Sequence, residues 1–193
     1  MLFKQPPSVR SNAVLKHPFN RDHDHYLGAP DAPLEIVLYG DFLCLFCGEL
    51  YTTLKLLQQC FDRQVRLVYR HFPMVSLHSL SLEAALAAEA ASLQGKFWNM
   101  HDLIFQNQIY LVRSSFSRFA DELNLKSNPF GNSMGYKTLI YKVSSDLDNG
   151  IKNGVIGTPT LFINGTRYTG FHDLENLSKT CLHVIRESCM LFQ

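Results

Sequence analysis

The sequence predicts an α/β fold in which a β-α-β unit, a β-hairpin and a terminal helix are interrupted by an all-helical insertion. An apolar run at 34–39 precedes a segment with helical apolar spacing, and a second β-prone run follows at 65–70. Two further β-prone runs, joined by Asn164 and Gly165, indicate a hairpin. The stretch between these two units is rich in helix-forming residues.

The bulk composition is that of a globular protein with one well-packed core. The chain has 193 residues, of which 46% are hydrophobic and 18% charged, and its net charge is +1. This balance gives no sign of a nucleic-acid partner or of a membrane surface. Residues 1–24 lack the apolar centre of a secretory signal, so we expect a cytoplasmic protein. A chain whose signal had been removed would look the same and would be periplasmic or secreted.

The β-α-β unit is predicted from three consecutive segments. Residues 34–39 are mostly apolar and suit a central strand covered on both faces. A helix should follow, with one apolar stripe formed by Cys47, Leu50, Leu54, Leu57 and Phe61. The second strand, at 65–70, should run parallel to the first. Cys44 lies one turn before the stripe, so we expect it to be exposed and Cys47 to be more buried.

The remaining elements define the predicted domain organisation. Helical segments are expected at 80–93, 97–106, 117–125 and 137–149, and a closing amphipathic helix at 174–191. We therefore divide the chain into parts, which are an N-terminal arm at 1–30, a main domain at 31–76 and 151–193, and an inserted helical subdomain at 77–150.

Cys44 and Cys47 have the spacing of a reversible redox pair. A helix N-terminus stabilises a thiolate on the first cysteine, and the second cysteine can attack a mixed disulfide formed there. Half of a zinc site is the alternative, but zinc needs two more ligands and the sequence has no second Cys-x-x-Cys. His23 and His25 precede the first strand in a turn-rich segment. The context favours redox chemistry without a metal.

Residues 157–160, with the sequence Gly-Thr-Pro-Thr, form the second candidate site. An X–Pro bond at a strand entry can be cis, and cis bonds are uncommon. We expect Thr158 and Pro159 to lie against the cysteine pair, where the backbone of Thr158 would bind an extended substrate. An ordinary trans proline at the start of a strand is the alternative.

The other polar and thiol candidates have plainer interpretations. Asp41 could tune the cysteine pair, but a loop acid that caps the helix is the preferred interpretation. Five cysteines do not form a complete disulfide framework. Cys60, Cys181 and Cys189 share no motif, so we expect them to be buried or half-buried small hydrophobic residues.

Seven short motifs spread along the chain match the pattern of a single known family. They lie at 31–33, 39–41, 44–47, 70–73, 95–98, 157–160 and 162–165. Through them the chain resembles the DsbA-like thiol:disulfide oxidoreductases of the thioredoxin superfamily, particularly the subgroup with a Gly-Thr-Pro-Thr loop. The resemblance implies a thioredoxin fold with a helical insertion. It also implies that Cys44 is the nucleophile, Cys47 the resolving thiol and Pro159 a cis-proline.

The residues between the cysteines depart from the subgroup, which commonly has proline followed by an aromatic residue or histidine. Here they are Leu45 and Phe46, which we also expect to contact substrate. Phenylalanine offers the Cys44 thiolate no charge or polar hydrogen. A lowered pKa of Cys44 must then come mainly from the helix end and nearby N–H groups, and a strongly oxidising potential is not expected.

The sequence thus predicts dithiol–disulfide exchange with protein or small thiol substrates and with a redox partner, without a cofactor. Its net direction, whether oxidase, reductase or isomerase, stays open. One alternative is a glutathione-dependent transferase or isomerase on the same fold, against which the presence of Cys47 argues. The other is a substrate-binding module without turnover, for which the unusual pair between the cysteines is the one hint.

Overall fold

A computed structural model describes residues 14–126 and 133–190. Its centre is a mixed five-stranded sheet with the strand order β1-β3-β2-β4-β5. The strands are β1 His25–Gly28, β2 Leu34–Gly40, β3 Val65–His71, β4 Thr160–Ile163 and β5 Thr166–Arg167. The helices are α1 Leu45–Phe61, α2 Ser81–Ser92, α3 Phe97–Gln106, α4 Arg113–Glu122, α5 Ser133–Lys152 and α6 Leu174–Met190. In these two ranges no helix is long and apolar enough to cross a membrane.

The central strand β2 confirms the predicted β-α-β unit. It pairs with β3 in parallel and with β4 in antiparallel orientation. All of its residues except Glu35 are buried, as expected for a strand covered on both faces. Parallel strands end at the same edge of the sheet, so the loop that follows Gly40 and the loop that follows His71 are neighbours.

Helix α1 buries the predicted stripe, because its buried residues are Cys47, Leu50, Leu54, Leu57 and Phe61. The prediction for Cys60 is wrong, since this thiol is exposed. It lies on α1 outside the stripe and faces solvent. Cys181, on α6, is completely buried as expected, and burial raises the pKa of its thiol to about 11. The side chain of Cys189 lies outside the described residues.

The N-terminal arm contains an element that the sequence analysis did not predict. Residues His25–Gly28 form the edge strand β1, antiparallel to β3, with His25 opposite Tyr69. Further upstream, Val14 forms an isolated bridge with Thr166 at the opposite edge of the sheet. This strand was missed because four residues flanked by turn-forming residues are too few to show the alternation of apolar and polar side chains that indicates a strand. Their pairing partner is about forty residues away along the chain.

The four helices expected between β3 and β4 are confirmed as α2 to α5, with shifted ends. α4 begins at Arg113, before the predicted start, and α5 extends the predicted segment in both directions. α2 is the most buried of them and packs against both the sheet and α5, because its alanines let neighbouring backbones approach closely. The insertion is therefore packed onto the sheet beside the cysteine loop.

Candidate active site

Cys44 and Cys47 lie at the first turn of α1, at the sheet edge where β2 ends. Cys44 is the N-cap residue with an extended backbone, and its carbonyl accepts hydrogen bonds from the N–H groups of Cys47 (2.9 Å) and Gly48 (3.2 Å). No side chain caps this end of the helix. The backbone N–H groups of Phe46 and Cys47 in this turn act on the Cys44 sulfur, where they favour a negative charge.

Cys44 is less exposed than expected, at 7% of its surface, so the prediction of an exposed nucleophile is wrong. The reason is a contact 114 residues away, since the Cys44 Sγ lies 3.3 Å from the carbonyl oxygen of Thr158, to which it donates a hydrogen bond in its protonated form. The Thr158–Pro159 bond is cis, as the resemblance implies, and the loop lies against the cysteine pair. The Thr158 backbone is therefore beside the sulfur.

The electrostatics of Cys44 favour its thiolate. Its pKa is lowered to about 5, first because the thiol of Cys47 donates a hydrogen bond to it. The Thr158 side chain and the N–H groups of Cys47 and Phe46 add to this effect, and they outweigh the desolvation that acts in the other direction. The sequence argument named the helix end and the N–H groups as the main cause. It missed the larger contribution of the partner thiol.

The surroundings of Cys47, unlike those of Cys44, favour the protonated thiol. It is fully buried in the apolar core between α1 and the sheet, as predicted. Burial raises its pKa well above the usual range, and the neighbouring Cys44 raises it further by its hydrogen bond and its negative charge. Both sulfurs are free thiols in this structure. The pair is therefore polarised, with a thiolate beside the Thr158 loop and a fully buried thiol behind it.

Asp41 does not cap α1, so the preferred interpretation of this residue is wrong. Its carboxylate is buried and accepts hydrogen bonds from the backbone N–H of Leu43 (2.9 Å) and of Met74 (2.9 Å). It also accepts from the Ser81 hydroxyl (2.7 Å) and contacts Nδ1 of His78 (2.9 Å). The acid thus ties the cysteine loop to the loop after β3 and to the start of α2. Its role as a tuning residue stays a prediction.

Gln108 contributes to the site and was not predicted. It lies in the 3₁₀ turn Gln108–Tyr110 of the insertion, and its Nε2 donates to the carbonyls of Phe42 and Cys44, both at 2.8 Å. A Cβ at Gly48 would collide with the end of the Gln108 side chain. A lone glutamine between two helical runs carries no sequence signal of such a contact. The helical insertion therefore holds the cysteine loop from one side.

Several apolar side chains near Cys44, either next to it in sequence or in the segments that contact it, are exposed. Leu45 is 63% exposed and Phe46 is 68% exposed, directly beside the nucleophile. Ile156, next to the Thr158 loop, and Ile109 and Tyr110, next to Gln108, are also exposed. Monomeric soluble proteins expose few such clusters, and they commonly mark binding surfaces.

The sequence model of the family described as thioredoxin matches residues 20–181, which is most of the chain. The chain belongs to the thioredoxin family. The family segment begins before β1 and ends within α6, so it includes the cysteine pair, the insertion and the cis-proline loop.

Curated relatives of this thioredoxin-family chain are named Na⁺/H⁺ antiporter NhaA. The chain is 35% identical to the protein from Salinispora arenicola over 182 residues, which are 90% of this chain but 28% of the relative. It is 37% identical to the protein from Salinispora tropica over 164 residues, or 85% of this chain and 25% of the relative. The chain thus spans about a quarter of the length of these relatives, and their name describes a much larger protein.

Solved structures share the thioredoxin-type fold with its helical insertion. Wolbachia pipientis α-DsbA1 superposes with a TM-score of 0.79 at 19% identity, covering 95% of this chain and 100% of that one. Oxidised BdbD from Bacillus subtilis gives 0.72 at 22% identity, covering 86% and 94%. The catalytic domain of Proteus mirabilis ScsC gives 0.75 at 19% identity, covering 91% and 94%. These likenesses establish a DsbA-like architecture for the chain.

Proposed function

We propose that the protein is a thiol:disulfide oxidoreductase that exchanges disulfides through Cys44 and Cys47. The observation that carries this proposal is the opposite polarisation of two sulfurs in one motif. The pKa of Cys44 is lowered to about 5, whereas that of the buried Cys47 is raised. A thiolate at neutral pH is both a nucleophile and a good leaving group, which is what the two halves of an exchange reaction need.

The reaction in the reducing direction starts with attack of the Cys44 thiolate on one sulfur of a substrate disulfide. A bond forms between the Cys44 sulfur and that substrate sulfur, and the other substrate sulfur leaves as a thiolate that takes a proton from solvent. Cys47 then loses its proton to solvent and attacks the Cys44 sulfur, so that a Cys44–Cys47 disulfide forms and the bond from Cys44 to the substrate sulfur breaks, with a proton from solvent going to that sulfur. The substrate leaves as a second thiol, and two electrons have passed to it from the cysteine pair. Oxidation of a dithiol substrate is the reverse sequence.

The surroundings of the pair suit a polypeptide substrate. The backbone of Thr158 lies beside the reacting sulfur and is positioned to pair with an extended segment, in the manner of an added β-strand. Leu45 and Phe46 offer apolar contacts on the other side of the opening. We propose on these grounds that Thr158, Pro159, Leu45 and Phe46 bind the substrate. A redox partner that restores the pair would use the same opening.

The test is reduction of insulin disulfides with a dithiol as the electron source. The wild-type protein should accelerate the reaction, and Cys44→Ser should abolish the acceleration. Cys60→Ser is the matched control because it removes an exposed cysteine from the same helix outside the pair, and it should keep full activity. A wild-type protein that binds a cysteine-containing peptide without turnover would support the binding-module alternative. Activity that needs glutathione and survives Cys47→Ser would support the transferase alternative.

A further inference from the structure

We propose that His25, His71 and Glu89 form a binding site for a divalent transition-metal ion of the Zn²⁺ class. The three residues come from β1, β3 and α2, and none of them belongs to the cysteine pair. Their ligand atoms all lie within 4.8 Å of one another. Two imidazoles and one carboxylate are a common protein set for zinc, which takes its fourth ligand from water.

The strand register explains how the two histidines come together. His25 is paired directly with Tyr69 across β1 and β3, and His71 lies two residues further along β3. Directly opposed residues share a face of the sheet, and so do residues two apart on a strand. Both imidazoles therefore lie on the same face. Helix α2 brings Glu89 to this face, where one carboxylate oxygen, Oε1, contacts Nε2 of His25 (2.7 Å) and Nε2 of His71 (2.8 Å).

The charge balance of the cluster favours a cation. The side chains of Glu89 and His71 are 5% and 1% exposed. In residues 14–126 and 133–190, no lysine or arginine forms an ion pair with this carboxylate. A buried carboxylate needs a counter-charge, which a metal ion between the three ligand atoms would supply.

The ring positions are already restrained by packing. The His25 ring stacks on Phe97 with a centroid distance of 3.5 Å and an angle of 10° between the planes, and the His71 ring meets Phe97 edge-on at 5.8 Å. Ligand atoms about 2.1 Å from a tetrahedral zinc ion are about 3.4 Å apart, so the distances from Glu89 Oε1 to the two imidazole nitrogens would lengthen by about 0.6–0.7 Å. His25 can make this adjustment because it lies on a four-residue edge strand and its side chain is 18% exposed.

In the first experiment the protein is titrated with Zn²⁺, and binding is measured by isothermal titration calorimetry. The protein carries Cys44→Ser and Cys47→Ser, because the thiolates of the pair would also bind zinc. We expect one ion per chain and a rise in Tm with increasing zinc concentration. Co²⁺ in place of Zn²⁺ should give the absorption of a four-coordinate ion without the sulfur charge-transfer band. If this protein binds no ion, the cluster is a hydrogen-bonded triad and the proposal is overturned.

The second experiment assigns the ligands. His25→Asn removes the most exposed ligand, and Glu89→Gln removes the charge at nearly constant shape. Each should weaken Zn²⁺ binding at least tenfold. His23→Asn is the control because it removes an exposed histidine only two positions away. Equal affinity of all three variants would overturn the assignment. The Co²⁺ spectrum of the parent protein needs no ligand variant, so it decides the question even where a variant fails to fold.

Discussion

The surroundings of Cys44 and the core around Cys47 shift the pKa of a thiol in opposite directions. They are called the mouth and the interior of the candidate site. At the mouth, the Cys47 thiol, the Thr158 side chain and the N–H groups of Cys47 and Phe46 lower the pKa of Cys44 to about 5. Three residues further along, Cys47 is enclosed by the apolar core and keeps its proton. The two sulfurs differ by one helical turn in position, and burial on the helix stripe produces the difference.

The comparison shows that the pair is asymmetric before any substrate binds. Under the proposed function, a substrate disulfide would meet the Cys44 thiolate first, because the Cys47 thiol has no exposed surface. The interior thiol becomes reactive only when a mixed disulfide at Cys44 brings an electrophilic sulfur next to it.

The largest effect is expected from Cys47→Ser, which leaves the mouth in place and removes the interior thiol. Turnover should be lost, because no internal thiol can release substrate from Cys44. Mixed disulfides should accumulate instead and should appear on non-reducing gels as adducts that disappear with a reductant. Cys44→Ser is the matched comparison and should form no adducts. Full activity of Cys47→Ser in the insulin assay would contradict the proposed division of roles.

The second-largest effect is expected in how the stability of the reduced protein depends on pH. The pKa of Cys44 is about 5 in the folded state and about 8.5 in an unfolded chain, so the folded pKa is the lower one. The lowered pKa therefore contributes to the free energy of unfolding. This contribution is fully present above about pH 8.5 and is lost as the pH falls through about 5. Oxidised protein has no thiolate at this position. The stability of the reduced form relative to the oxidised form should therefore rise with pH across this window.

Thiolate absorbance measures the same property directly. The difference between reduced and oxidised protein should titrate with a midpoint near pH 5, in a Cys60→Ser background that removes the other exposed thiol. Cys47→Ala removes the largest stabilising hydrogen bond and cannot form the disulfide, so its thiolate absorbance is measured against a protein that also carries Cys44→Ser, and its midpoint should shift upward. A serine at the same position keeps a donor and should shift it less. A wild-type midpoint near that of a free thiol would contradict the polarisation.

The interior could be predicted from the sequence because its signals are periodic. The stripe from Cys47 to Phe61 repeats at helical spacing, and the apolar run of β2 is bounded by Pro33 and Gly40. Each pattern lies within one element, so it needs no knowledge of distant residues. The burial of Cys47 follows from its place on the stripe.

The mouth could be predicted only in part, because its decisive contacts join distant segments. The carbonyl of Thr158 covers Cys44, Gln108 holds the loop from the insertion, and Asp41 binds groups more than thirty residues away. None of these contacts leaves a local pattern in the sequence. The resemblance to a known family supplied the cis-proline loop, but it did not indicate the glutamine or the buried carboxylate.

Gln108→Ala should loosen the mouth without touching the interior. It removes hydrogen bonds to two loop carbonyls, so the free energy of unfolding should fall by about 1–2 kcal/mol. Gln106→Ala is the control, since this exposed glutamine two positions away makes one long contact of 3.4 Å, and its effect should stay within about 0.5 kcal/mol. Chemical denaturation measures both values. Equal effects of the two variants would show that the Gln108 clamp does not stabilise the fold.

The smallest effect is expected behind Cys47, at a buried tyrosine. The Tyr69 hydroxyl has no hydrogen-bond partner among the described residues, and burial, followed by the nearby Cys47, raises its pKa well above the usual range. An unpaired buried hydroxyl is unfavourable, so Tyr69→Phe should raise the free energy of unfolding by about 1 kcal/mol.

Tyr39 on the neighbouring strand β2 is the matched control for Tyr69→Phe. Its hydroxyl donates to Asn149 (2.8 Å) and accepts from Arg70 (3.0 Å), so Tyr39→Phe should lower the free energy of unfolding by about 1–3 kcal/mol. Denaturation of both variants in the reduced state compares the two hydroxyls at nearly equal burial. A loss of stability in Tyr69→Phe would mean that its hydroxyl is paired, and the interior behind Cys47 would then be polar rather than apolar.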